Sequence, residues 1–424
     1  MQLTETITDK QLKALDVEWA RAQFPSLATK VNGRPAIFLD GPGGTQVPRS
    51  VVEAITNYLV TSNANTGGAY ITSRQTDAMI ASTRAAVADF LGCAANEVVL
   101  GPNMTTLTVM LSRAIGRDIQ QGDEVVVTSL DHDANISPWK FLEERGAVVR
   151  TVDIHEKDCT LDMDDLARAI NGRTRLVAVG YASNAVGTIN DVRQVIRLAH
   201  EVGALAFIDA VHYAPHGLID VRELDCDFLA CSPYKFFGPH QGVLYGKREH
   251  LDSLRPYKLR PASNVSPDRW ELGTLTHECL AGVAAAVDYI AELGRRTGAQ
   301  GSRRDLLRAA YQAIGLHERD LTNALVTGLL QIPRLRLYGI SDEARFAQRV
   351  PTMAVRIEGR TPLELATKLG ERGIFTWDGN YYAIAVTERM GVESSGGFLR
   401  IGAVHYNTVE EIECAVEELA TAAS

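Results

Sequence analysis

In the stretch Ser232-Pro233-Tyr234-Lys235-Phe236-Phe237-Gly238-Pro239-His240 a single lysine stands among apolar and small residues. Most lone lysines are solvated surface charges, but this one follows an apolar run, Phe228 to Cys231, and precedes Gly238-Pro239. Burial there disfavours the ammonium form and leaves an amine available as nucleophile or base. Upstream, Asp209 ends another apolar run, Ala204 to Asp209. A carboxylate at the C-terminal end of a strand is placed to meet a ligand, although capping and turn duty are ordinary uses of aspartate. Together, a lysine can hold a carbonyl compound as a Schiff base, and an aspartate can keep a pyridinium nitrogen protonated. That pair is the arrangement in which a protein can hold pyridoxal 5'-phosphate.

A phosphate needs free backbone N–H groups and a favourable dipole, both supplied by the start of a helix. Gly101-Pro102-Asn103-Met104-Thr105-Thr106 provides a strand end, a tight turn and two threonines opening a helix. Thr105, Thr106 and Ser232 are therefore candidate phosphate ligands, with plain N-capping using the same geometry. Arg400, in Phe398-Leu399-Arg400-Ile401-Gly402, sits in an apolar strand and needs a partner. A substrate carboxylate suits its bidentate fork; a structural salt bridge is the alternative.

These residues hang on a repeating frame. Short β-rich runs read as strands at Glu97–Gly101, Asp123–Thr128, Val148–Val152, Leu176–Gly180, Ala204–Asp209, Phe228–Cys231 and Gly242–Tyr245. They are continuous rather than alternating, as expected of strands covered on both faces. Helical patterns at Met163–Ile170 and Val192–Val202 lie between them, the second with Gly203 as C-cap. Alternating β and α predicts an α/β domain, with ligand sites at the strand C-termini. After about residue 285 the pattern changes to a long helix, Asp305–Leu330, then strands at Thr352–Ile357 and Phe398–Val404 and a last helix, Val409–Thr421. The expected division is an N-terminal arm over 1–30 packing with the small domain, a large domain over 31–285 and a smaller α+β domain over 286–424.

The 424 residues carry a net charge of −9, which speaks against a nucleic-acid partner. No run approaches the roughly 18–20 apolar residues that span a bilayer, and Met1–Lys10 lacks the pattern of a signal peptide. Six cysteines without a CxxC pair argue against a zinc site or a disulfide framework. A cytoplasmic protein without a metal or a membrane partner is the expectation. No strand is followed by G-x-G-x-x-G, which disfavours a dinucleotide-dependent oxidoreductase.

From about Ile37 to Gly282, and again around Arg400, the sequence resembles the class V aminotransferase superfamily of fold-type I pyridoxal phosphate enzymes, nearest the cysteine desulfurases and selenocysteine lyases. The resemblance implies a large, mostly parallel-sheet domain with a smaller C-terminal one, and a homodimer with shared active sites. Lys235 resembles the Schiff-base lysine and Asp209 the partner of the ring nitrogen. His132, in Asp131-His132-Asp133-Ala134-Asn135, matches the histidine that stacks on the ring, and Asn184, in Ala182-Ser183-Asn184-Ala185-Val186-Gly187, the asparagine bonded to the phenolic oxygen. Thr274 resembles a threonine that reaches the phosphate of a second subunit. Asn32–Thr45 resembles the family's substrate-side loop, which makes Asn32 a candidate substrate contact.

The chain also departs from that pattern. The segment Gly373–Gly397, where desulfurases carry a sulfur-accepting cysteine, reads Ile374-Phe375-Thr376-Trp377-Asp378-Gly379-Asn380-Tyr381-Tyr382 and contains no cysteine. Tyr234 replaces a histidine before the lysine. His212 stands where a glutamine is frequent; with a pKa near neutrality it would tune the cofactor or move protons, or serve only as packing. The expected activity is C–S bond cleavage on a small amino acid, cysteine or a derivative, with Lys235 removing the Cα proton and Trp377 and the Tyr381-Tyr382 pair shaping the pocket. Transamination, epimerisation, decarboxylative C–C bond formation and a non-catalytic binding module are the alternatives.

Overall fold

A computed structural model describes residues 13–423; the polar stretch Met1–Lys10 lies outside the described residues. Seven strands form the main sheet: β1 (Val98–Gly101), β2 (Glu124–Thr128), β3 (Val148–Val152), β4 (Thr174–Gly180), β5 (Leu205–Asp209), β6 (Phe228–Cys231) and β7 (Gly242–Gly246). Their spatial order is β1-β7-β6-β5-β4-β2-β3. Neighbours run parallel except at β7, which is antiparallel to both β6 and β1. Antiparallel neighbours need no crossover helix, so β6 and β7 are joined directly by residues 232–241, the segment that carries Lys235.

The continuous apolar runs have the expected consequence. Side chains of β4 alternate between two cores, Val177 and Val179 on one face of the sheet, Leu176 and Ala178 on the other. Only β3, at the edge, is largely exposed. Helices α1 (Arg49–Thr61), α2 (Ile71–Leu91), α3 (Met104–Ile115), α4 (His277–Arg296) and α5 (Arg303–Leu330) pack around it. Gly203 adopts φ +74° just after the helix Val192–Glu201, the left-handed turn that glycine makes without steric cost.

A second, antiparallel sheet has the order β8-β9-β11-β10, where β8 is Leu335–Tyr338, β9 Thr352–Ile357, β10 Trp377–Gly379 and β11 Phe398–Gly402. Helix α6 (Val409–Ala423) and the second half of α5 cover it: Leu321, Leu325, Val355, Leu399, Ile412 and Leu419 share one cluster. The first half of α5, with Leu307, Ala310 and Ile314, belongs to the large core. The handover between units therefore lies inside α5, and α4 runs unbroken across the division expected after residue 285. At the other end, Ile37–Phe38 pairs in parallel with Ile374–Phe375, and Leu39 joins the small core. The N-terminal strand thus travels with the C-terminal unit until about Asp40, beyond the expected boundary at 30.

Candidate active site

A cleft of about 1680 Å³ opens between the two sheets, and the C-terminal ends of β1, β2, β4, β5 and β6 meet on its floor. Asp209, the last residue of β5, and Lys235, in the turn after β6, both line it. Asp209 is 7% exposed and accepts a hydrogen bond from the Val211 backbone N–H at 2.9 Å. Burial raises its carboxyl to about 6, against the pull of Lys235. The Lys235 amine donates to the Pro42 carbonyl and lies 4.8 Å from the centre of the Tyr234 ring. Burial, and then the Arg400 cation, push it down to about 7, while Asp209 and Asp40 hold it up. An amine with that value is substantially neutral at physiological pH, the form that attacks a carbonyl. Uptake of pyridoxal phosphate by the apoenzyme will accordingly rise steeply between pH 5.5 and about 7 and level off above; following the bound cofactor's absorbance at several pH values checks this.

At one end of the cleft, the Asn103 side chain caps α3 by accepting from the Thr106 N–H at 2.8 Å, and the Met104 N–H donates to Ser232 Oγ at 3.3 Å. Thr105 and Thr106 stand exposed in the first helical turn, lining the cleft. A Cβ on Gly242 would come 2.3 Å from the Asn103 carbonyl carbon, so only glycine lets β7 pass this closely beneath the loop. The result is a helix N-terminus flanked by hydroxyls, a suitable seat for a phosphate.

His132 follows β2 and is pushed down to about 4, chiefly by burial. It is therefore neutral, and because Nδ1 accepts from the Ala134 N–H at 3.0 Å, Nε2 carries the proton. Its ring stacks on Tyr382, with centroids 5.5 Å apart and planes inclined by 19°. Asn184 donates from Nδ2 to the Tyr381 carbonyl at 3.0 Å, while its buried Oδ1 has no partner. Arg400 Nη1 donates to the Asn184 carbonyl at 2.9 Å and the guanidinium lies 4.1 Å over the Tyr381 ring. Burial lowers Arg400 to about 10, leaving it charged, and its buried Nε is unpartnered. A pyridoxal phenol would donate to the orphaned Asn184 Oδ1 and a carboxylate would accept from the orphaned Arg400 Nε, so the residues present fit the cofactor and an amino-acid substrate.

Tyr381 and Tyr382 have φ of +53° and +60°, a left-handed conformation that costs a non-glycine residue about 1–2 kcal/mol. The surroundings enforce it: the Asp133 N–H donates to the Tyr382 carbonyl at 2.6 Å, the Tyr382 N–H to Asn380 Oδ1 at 3.1 Å, and the Tyr381 hydroxyl to the Phe398 carbonyl. Both units thus hold this turn over the cleft. Trp377, half-exposed on β10, lines the same wall.

Three expectations are corrected or relocated. Asn32 lies outside the cleft: it is the exposed tip of a small hairpin, at φ +52°, bonded to the Glu371 carbonyl. Pro42 and Gly43, further along the Asn32–Thr45 segment, reach the site instead. His212 lines the cleft, but burial and the neighbouring His216 ring drive it well below its ordinary value, so it does not titrate near neutrality; its Nε2 lies 3.1 Å from Thr352 Oγ1. Thr274 is exposed and apart from the cleft of its own chain. Two carboxylates went unnoticed in the sequence. Asp131, 3% exposed, bonds Thr128 Oγ1 and the Gly180 N–H and is raised to about 8 by burial and by Asp209. Asp40 is raised to about 6 by burial and faces Arg400 and Lys235.

A lysine and an aspartate at adjacent strand ends face one cleft beside an open helix start, and the chain belongs to the aminotransferase class-V family, whose profile matches residues 37–414. It is a PLP-dependent enzyme with the fold-type I architecture. Within the family it is similar to the cysteine desulfurases. A cysteine desulfurase from Pectobacterium carotovorum is 33% identical over 414 residues, covering 94% of this chain and 95% of that protein. An aminotransferase-like protein from Gibberella zeae is 32% identical over 415 residues, covering 94% and 96%. Among solved structures, a cysteine desulfurase from Thermococcus onnurineus superposes with a TM-score of 0.84 at 25% identity, covering 96% of this chain and 97% of that one. Among the described residues no helix is long and apolar enough to cross a membrane.

Proposed function

We propose that this enzyme cleaves the Cβ–S bond of cysteine or a cysteine derivative by β-elimination, releasing a thiol, pyruvate and ammonium. Written out, R–S–CH2–CH(NH3+)–COO− and water give RSH, CH3–CO–COO− and NH4+. The observation that carries the reading is negative in one respect: all six cysteines fall within the described residues, and none of them lines the cleft. A protein persulfide therefore has no sulfur atom on which to form at the site, whereas elimination needs none.

Bound pyridoxal phosphate supplies an electron-withdrawing ring that stabilises negative charge at Cα. The protein's residues do the rest. Arg400 receives the α-carboxylate in the direction of its orphaned Nε. Lys235, brought to about 7 by burial, would accept the Cα proton. Asp209 would keep the ring nitrogen protonated, and His132 would flank the cofactor. Thr105, Thr106 and Ser232 take the phosphate, and Asn184 takes the phenolic oxygen. We infer further that the enzyme is a cytoplasmic homodimer in which Thr274, exposed on its own chain, completes the partner's phosphate site.

The deciding measurement is the fate of the carbon skeleton. Incubation with cysteine and with S-substituted cysteines will yield pyruvate; alanine accompanied by sulfide would establish desulfuration instead. Arg400→Ala will raise KM for the amino acid by about 10–100-fold, the value of a charged hydrogen bond lost, with kcat less affected. An unchanged KM in steady-state assays would remove Arg400 from the substrate site.

A further inference from the structure

The cleft holds room beyond the cofactor and a bare cysteine together. Its volume of about 1680 Å³ exceeds the roughly 300–1,000 Å³ that encloses a drug-sized ligand. Beyond the Lys235–Arg400 centre, it is walled by large apolar side chains that the fold leaves open: Tyr382 is 72% exposed, Trp377 51%, Phe141 48% and Leu363 61%. Exposed aromatics at random surface positions call for no explanation, but several around one cleft do. The tyrosine is also held in place. Its backbone keeps a left-handed conformation under the bond from the Asp133 N–H and that to Asn380, and its ring lies parallel to His132. A strained residue fixed from several sides at a ligand site points to a function for the side chain so displayed.

We propose that the preferred substrates carry an apolar, above all an aromatic, group on the sulfur, and that Tyr382 and Trp377 are the residues that select it. The proposal rests on the reading that the cleft binds a cysteine derivative through Arg400 and the cofactor. The α-carboxylate is anchored at Arg400, whose guanidinium stacks on Tyr381, the residue adjacent to Tyr382. A substituent on sulfur then extends from the reaction centre toward the open aromatic wall, where flat rings pack by offset or edge contacts.

Binding separates this inference from the elimination reading, because it can be measured without C–S cleavage. The probes are norvaline and the analogue of S-benzylcysteine in which methylene replaces sulfur, titrated calorimetrically into the holoenzyme. The benzyl analogue will bind at least about tenfold more tightly. In Tyr382→Asn, whose short side chain tolerates a left-handed backbone, and in Trp377→Ala, the ratio will fall below about threefold; Tyr382→Phe, which keeps the ring, will retain it. Equal affinities in the wild type, or a ratio that survives both ring deletions, overturns the proposal. Pyruvate release from S-benzylcysteine is scored separately. Selective binding without pyruvate supports the substrate class and sinks elimination, whereas pyruvate without selective binding sinks the substrate class alone.

Discussion

Lys235→Ala will lower turnover by about 10⁴-fold or more, because one substitution removes both the proposed covalent anchor of the cofactor and the proposed base at Cα. The environment accounts for the size of the effect. Burial and Arg400 bring Lys235 to about 7, so it can give up its proton near neutrality, whereas Arg400 itself stays charged. His132 and His212 are neutral and weakly basic, both driven down by burial. None of these neighbours can replace it. The phosphate and phenol contacts remain, so the variant will still take up pyridoxal phosphate, though without the yellow colour that borohydride removes in the wild type. Pyruvate assays and the absorption spectrum together check this. Retained turnover, or a borohydride-sensitive chromophore in the variant, would contradict the role of Lys235.

The sequence carried this much because Lys235 and Asp209 are lone charges at the ends of apolar runs. A charge in that setting is visible without coordinates, and so are strands buried on both faces. The reversed direction of β7 was not legible, since direction is set by the length of the connection and by pairing, not by residue type. Asp131 and Asp40 escaped notice for a related reason: a carboxylate in a loop gives no sign of its burial, which depends on chain segments far away in sequence. Asp131 is enclosed partly by Gly180, where a Cβ would lie 2.4 Å from its carboxylate. Asn32 was misplaced because a family likeness over Asn32–Thr45 overrode a local signal. Asn32-Gly33 is the residue pair of a tight hairpin turn, and both residues take positive φ as that turn requires. The handover inside α5 was not legible, because one helix serves two cores along its length.

Asp209→Asn tests the other half of the pair, and its two effects have different signs. Without a carboxylate at the end of β5, the ring nitrogen has no acid partner to keep it protonated, and the ring stabilises charge at Cα less well. Turnover will fall by about 10²–10⁴-fold, the scale on which one partner of a buried charge pair is lost. Asp209 is also a cation-stabilising neighbour of Lys235, opposing the burial that lowers it. Its removal lets Lys235 fall further below about 7, so the amine is neutral at lower pH. The pH profile of cofactor uptake by the apoenzyme will therefore move to the acid side even as catalysis collapses. A merely structural defect would slow uptake at every pH and leave the midpoint where it was. An unchanged uptake midpoint would mean that the two side chains do not sense each other across the site, and one that moved toward alkaline pH would contradict the sign of their interaction.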